Sequence, residues 1–158
     1  GILRTYPPFL CQRIWIKKIH ADFTQVDIKI FKSFLNINSN KTIFGGTMFS
    51  AVDPIHPILL DQLFQKHGYS KTIAWLKSAK ISYLKPAKKN LEFSITLAAE
   101  EIEEAFESLA QNGRVIQTFE INIYDKEGTL CARSQNEVYI RNLDFSYKTS
   151  KTNGDLIL

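Results

Sequence analysis

Between Arg13 and Ile30, Val26, Ile28 and Ile30 alternate with Asp27 and Lys29, and Ile14, Trp15, Ile16 and Ile19 form a fuller apolar run ahead of them. A period of two predicts a pair of strands, with Ala21 to Thr24 as the turn of a hairpin. Lys32 to Thr42 is rich in Asn and Ser (Ser33, Asn36, Asn38, Ser39, Asn40) and predicts an exposed loop. A helix follows from about Gly46 to Lys66, apolar on most faces through Phe49, Val52, Ile55, Ile58, Leu59, Leu60, Leu63 and Phe64, with Gly68 as its stop. Pro54 and Pro57 lack amide hydrogens, so this helix is expected to kink or split near Asp53.

A helix apolar nearly all round must be wrapped, and the rest of the chain supplies the wrapping. Ile73 to Leu84 is the first of four further strands; its more apolar face is Ile73, Trp75, Lys77, Ala79, Ile81 and Tyr83. Lys77 on that face either snorkels to a sheet edge or marks a bulge, or is a buried cation paired with Asp53 or a ligand phosphate. Leu91 to Leu97 is the next strand. Ala99 to Ala110 then returns to a helical period, with Ile102, Ala105, Phe106 and Leu109 on one side, five glutamates on the other and Gly113 as its end. Arg114 to Tyr124 and Thr129 to Arg141 form a long hairpin about the turn Asp125 to Gly128. The order β-β-α-β-β-α-β-β predicts an α+β hotdog fold, a curved antiparallel β-sheet wrapped around a central α-helix, with the acidic helix as an addition. Residues 1–141 form the expected domain, with 1–12 as an irregular lead-in packed through Tyr6 and Phe9, and 142–158 as a polar tail.

Composition narrows the function. At 158 residues, with 44% hydrophobic and 23% charged, the chain is long enough for a core without disulfides and has no run of membrane-spanning length. The net charge of +4 favours anionic ligands mildly and is too evenly spread for a nucleic-acid surface. Cys11 and Cys131 lack metal-ligand spacing, and the glutamates are placed as a solvated helix face, so no metal is expected. The absence of a signal-peptide h-region near Gly1 to Leu10 makes a cytoplasmic location the default.

The chemistry concentrates in Phe44-Gly45-Gly46-Thr47 and in Asp53. Two glycines at a helix start leave bare N–H groups that polarise a carbonyl or bind phosphate. Asp53 has two readings: an N-cap for a second helical segment beginning at Pro54, or a carboxylate facing a ligand cleft as general base or nucleophile, with the glycine amides as oxyanion site.

This pattern resembles hotdog-fold acyl-CoA thioesterases of the phenylacetyl-CoA thioesterase type, whose motif is an Asn, five residues, His-Gly-Gly, six residues and an Asp. Asn38, Gly45, Gly46 and Asp53 fall in register with it, and Ile81-Ser82-Tyr83-Leu84-Lys85-Pro86-Ala87 is similar to a strand-ending segment of those enzymes. Phe44-Gly45-Gly46, Asp53-Pro54, Lys77-Ser78-Ala79, the acidic helix and Tyr139-Ile140-Arg141 resemble a subgroup of bacterial hotdog domains of unknown function. The departure is Phe44, which stands where the family has its His.

The resemblance implies hydrolysis of an acyl-CoA or acyl-carrier thioester. Asp53 would be base or nucleophile, Gly45 and Gly46 the oxyanion site, and Asn38 would position the carbonyl or water. Phe44, Thr47, His56, Trp75 and Lys77 would contact substrate, with Lys77 tuning Asp53 and Trp75 helping to line an acyl tunnel. It implies a homodimer or dimer of dimers with the cleft between subunits, and no cofactor beyond the coenzyme A of the substrate. The rival is a non-catalytic binder of acyl-CoA or a lipid-like ligand, with Phe44 filling the space of the His. A hotdog dehydratase lacks its His here, and a purely structural protein predicts no cavity reaching Asp53.

Overall fold

The computed structural model describes residues 2–146. Of the expected tail, residues 147–158 lie outside the described residues. The lead-in is more regular than its sequence suggests: a short 3-10 turn, Ile2–Thr5, precedes helix α1, Pro7–Cys11. Two prolines in its first turn lose nothing, because the first amides of a helix have no intrahelical acceptor. Phe9 is buried, with Tyr6 packed edge-on against it at 5.4 Å.

Strands β1 (Ile14–Ile19) and β2 (Gln25–Ile30) form the expected hairpin, and β4 (Leu91–Thr96) joins β2 on its other side, giving the order β1-β2-β4. A second antiparallel sheet has the order β3-β6-β5, from β3 (Thr72–Tyr83), β5 (Arg114–Tyr124) and β6 (Leu130–Asn142). The wrapping is thus two three-stranded halves, joined where Leu91 bridges Asp125 and the Lys126 amide donates to the Asn90 carbonyl.

Inside the curve lies the central helix, split as the prolines require into α2 (Gly45–Val52) and α3 (Ile55–Lys66). Ala51, Val52, Ile55, Leu59, Leu60 and Phe64 are almost wholly buried against Ile14, Ile28, Ile30, Phe119, Ile121 and Val138 from both sheets. Helix α4 (Ala99–Asn112) packs Ala105 and Leu109 inward, and Gly113 ends it at φ 69°, in the left-handed region.

On β3 the faces are the reverse of those expected before Lys77. Ala74 and Leu76 pack on the core, whereas Ile73 and Trp75 are 39% and 46% exposed on the outer face. The register with β6 shifts between Leu76 and Ser78, so Lys77 is the extra residue of a bulge, and beyond it Ala79, Ile81 and Tyr83 take the inward phase.

Candidate active site

Helix α2 starts from a loop that is built rather than merely exposed. Asn36, 3% exposed, donates its amide hydrogens to the Gln12 and Phe31 carbonyls and accepts from the Ser33 amide. Its own carbonyl receives the Phe44 amide at 2.8 Å. Asn38 closes the next turn: its Oδ1 accepts from the Asn40 and Thr42 amides and its Nδ2 donates to Thr42 Oγ1. The Asn38 side chain is therefore committed to shaping the loop.

Phe44 takes the N-cap position with extended backbone, and its carbonyl accepts the Thr47 and Met48 amides. The Gly45 and Gly46 amides precede these and have no helical acceptor. Two aromatic rings explain why both residues are glycine. A Cβ on Gly45 would stand 2.7 Å from the Tyr83 ring, and one on Gly46 would overlap the ring of Phe44. Tyr83 reaches Gly45 from the end of β3, and burial raises the pKa of its phenol, which stays a hydrogen-bond donor at neutral pH. The groove between these elements has a volume of about 750 Å³ and is lined by Asn38, Phe44, Gly45, Met48, Tyr83 and Lys85 among others. Phe44 separates it from a smaller groove of about 400 Å³ lined by Gln12, Asn36, Gly46, Thr47 and Ser50. Asn38, Phe44, Gly45 and the strand-ending Leu84-Lys85-Pro86-Ala87 thus meet in one place, and Thr47 lies behind it.

Asp53 lies elsewhere on the same helix. It follows Val52 as the C-cap of α2, with φ −51° and ψ −56°, and its amide donates to the Phe49 carbonyl. The N-cap reading is corrected: Pro54 holds that position for α3, and no side chain caps it. The carboxylate is half-buried, makes no hydrogen bond or ion pair among the described residues, and has its pKa raised by burial. At 1.5 Å per residue, the eight steps from Gly45 to Asp53 span about 12 Å, far beyond the roughly 3 Å at which a base acts on a bound carbonyl's attacking water. Within one chain the amides and the carboxylate lie at opposite ends of α2.

The other expected contacts are placed differently. His56 does not share the outward face of Asp53. It is 1% exposed, with its ring parallel to Phe119 at 4.3 Å and neither nitrogen hydrogen-bonded among the described residues. Burial lowers its pKa to about 4, and the Thr96 backbone acts in the opposite direction. Lys77 pairs with Glu137 at 3.5 Å on the outer face of the sheet, not with Asp53. Trp75 packs at a tilt against Tyr139, with ring centroids 4.5 Å apart, on that same outer face and lines none of the cavities found near the helix start.

The Domain of unknown function family DUF4442 matches residues 1–140. The chain belongs to DUF4442. No curated protein sequence matches it. Solved structures share its frame at low identity. A Chlorobaculum tepidum protein of unknown function has a TM-score of 0.71 at 15% identity, covering 87% of each chain. A Pseudomonas aeruginosa protein named a probable thioesterase has a TM-score of 0.67 at 15% identity, covering 87% of this chain and 88% of that one. A Haemophilus influenzae thioesterase has a TM-score of 0.66 at 13% identity, covering 92% and 90%. The fold of this DUF4442 chain is that of hotdog thioesterases: antiparallel sheets around a central helix.

Three residues beside the helix escape a sequence-only reading. Tyr83 falls in the motif that ends β3, but only the structure shows its ring on Gly45. Ser134 and Asn136, both fully buried, sit on the inner face of β6 under the α2–α3 joint. Their signal is phase: they occupy the same alternate positions as Ala132, Val138 and Ile140, which face the core.

Proposed function

We propose that this DUF4442 chain is a thioesterase that hydrolyses acyl-CoA or acyl-carrier thioesters as a dimer, with Asp53 as general base or nucleophile. The observation that carries the reading is the Asp53 carboxylate, half-buried and unpaired on an otherwise apolar helix, in the frame of known thioesterases. A carboxylate without a structural partner is destabilising in such a place, and a catalytic task is the reason to keep it.

Distance along α2 supports the dimer. A Gly45 amide about 12 Å from its own Asp53 can share a substrate with the carboxylate of a second copy. Among the described residues strand β3 is the edge of its sheet, twelve residues long with one side unpaired, which suits pairing between copies. In the base mechanism, Asp53 takes a proton from water while the water oxygen bonds to the thioester carbon. The carbonyl oxygen becomes an oxyanion held by the Gly45 and Gly46 amides; the oxyanion then collapses, the C–S bond breaks, and the sulfur leaves as thiol with that proton. Burial raises the carboxyl pKa, so activity rises with pH as the group ionises.

Phe44 favours the second reading, a binder of acyl-CoA that does not turn it over. It stands where the phenylacetyl-CoA thioesterase type has a His, leaving the Gly45 and Gly46 amides as donors, and the loss of one oxyanion donor costs on the order of a hundredfold or more in rate. Free-thiol release from short, long and aromatic acyl-CoAs, wild type against Asp53→Asn, separates the two. Thioesterase action predicts release that collapses in the variant with the fold intact. Binding without release from any acyl-CoA, unaltered by Asp53→Asn, establishes the binder.

A further inference from the structure

The inner face of β6 holds an amide and a hydroxyl where hydrocarbon would serve stability better. Ser134 and Asn136 are fully buried, yet the same row continues as Val138 and Ile140. Buried polar groups are costly unless bonded, and these two are bonded in series. Ser134 Oγ donates to Asn136 Oδ1, which fixes the amide's orientation, and Asn136 Nδ2 donates to the Val52 carbonyl at 3.3 Å.

Val52 is the last residue of α2 and the one before Asp53. The joint it belongs to cannot be held by helical hydrogen bonds alone. Pro54 has no amide for the Ser50 carbonyl, and Pro57 has none for that of Asp53. Three residues past Asp53, His56 stacks on Phe119, which is the cross-strand partner of Asn136. Adjacent positions of the sheet therefore grip the chain on both sides of Asp53.

The grip accounts for a local anomaly. Asp followed by Pro ordinarily caps the helix that follows, and an N-cap residue takes extended backbone angles. Asp53 instead keeps helical angles as the C-cap of α2, and its side chain does not cap α3.

We infer that Asn136, oriented by Ser134, is a positioning residue: it clamps the Val52 carbonyl so that Asp53 projects its carboxylate from the outer face of α2 instead of folding back to cap α3. The inference rests on the reading of Asp53 as the reacting group, but the clamp itself can be observed without turnover. The experiment follows the Asp53 carboxyl by carbon NMR titration in the full chain, alongside thiol release from acyl-CoA, in wild type, Asn136→Leu, Ser134→Ala and Ser134→Thr.

In Asn136→Leu the carboxylate relaxes onto the first amides of α3, so its titration midpoint falls below that of wild type. There kcat drops at least about tenfold with KM little changed, since substrate contacts remain while the reacting group is displaced. Ser134→Ala moves both quantities in the same direction by less, and Ser134→Thr, which keeps the hydroxyl, restores them. An unchanged Asp53 midpoint in folded Asn136→Leu overturns the clamp; should that variant fail to fold, an unchanged midpoint in Ser134→Ala does so. If wild type releases no thiol from any acyl-CoA, the catalytic reading falls, and the titration still decides the clamp. A shifted midpoint with unchanged kcat overturns the link between clamp and chemistry.

Discussion

His56 makes acid stability a sharp test of the core. Its imidazole is 1% exposed, stacked on Phe119, and neither ring nitrogen has a hydrogen-bond partner among the described residues. A proton there would place a charge among apolar side chains, and burial holds the pKa at about 4 against an ordinary 6.5. Between those values the unfolded chain binds a proton that the folded chain does not. Stability is therefore complete above pH 6.5 and is lost as the pH falls toward 4. At about 1.4 kcal/mol per pH unit, this window costs about 3 kcal/mol, a large share of the 5–15 kcal/mol typical of a domain. His56→Leu removes the titrating group, leaves no orphaned partner and roughly conserves volume, so its stability at neutral pH should lie within about 1.5 kcal/mol of wild type. Urea unfolding from neutral pH down to about pH 4 should show the wild-type unfolding free energy falling by about 3 kcal/mol more than the variant's. A variant that loses stability as steeply as wild type over this window would refute the reasoning, because the imidazole would then have a partner that tolerates its charge.

The close approach of Tyr83 to Gly45 predicts coupling. Gly45→Ala should displace the Tyr83 ring, cost about 1–3 kcal/mol through overpacking, and weaken acyl-CoA binding or turnover; Tyr83→Ala in the same chain should recover part of the stability in a double-mutant cycle. At the end of α4, Gly113 has φ 69° and Phe145 packed where a Cβ would stand. Gly113→Ala should therefore lower stability by more than about 1 kcal/mol in thermal or urea melts, whereas a surface change such as Glu103→Ala should stay within about 0.5 kcal/mol.

Much of the architecture follows from local pattern. The strand alternation, the acidic helix with its glycine end and the split at Pro54 all depend on short-range chemistry, and the structure places them within a residue or two of expectation. The faces of β3 were not legible, because the bulge at Lys77 inserts one residue and reverses the phase that alternation presumes. Trp75 misled for the same reason: a large apolar side chain suggests a core, but this one is accommodated outside by Tyr139. His56 followed Asp53 closely enough to suggest a shared face, yet the change of direction at Pro54 and Pro57 turns it inward. Asn136 and Ser134 stayed hidden because their role is a contact with a carbonyl 84 residues away from Asn136, which no local spacing encodes.

The position of β6 between β3 and β5 sets the order in which this chain can be assembled. Strand β3 leaves the ribosome well before its partner, with Thr72 pairing with Asn142 and Tyr83 with Ala132. The β5–β6 hairpin closes over a short turn and has only then an edge to offer. Until that moment β3 carries two bare edges, the condition in which nascent chains associate wrongly. Its second half is correspondingly rich in polar and charged residues, Lys77, Ser78, Lys80 and Ser82, all exposed in the finished fold. Their charge and hydration guard the strand through its long wait, and replacing them with valines should lower the yield of soluble protein during synthesis more than it alters the stability of the product.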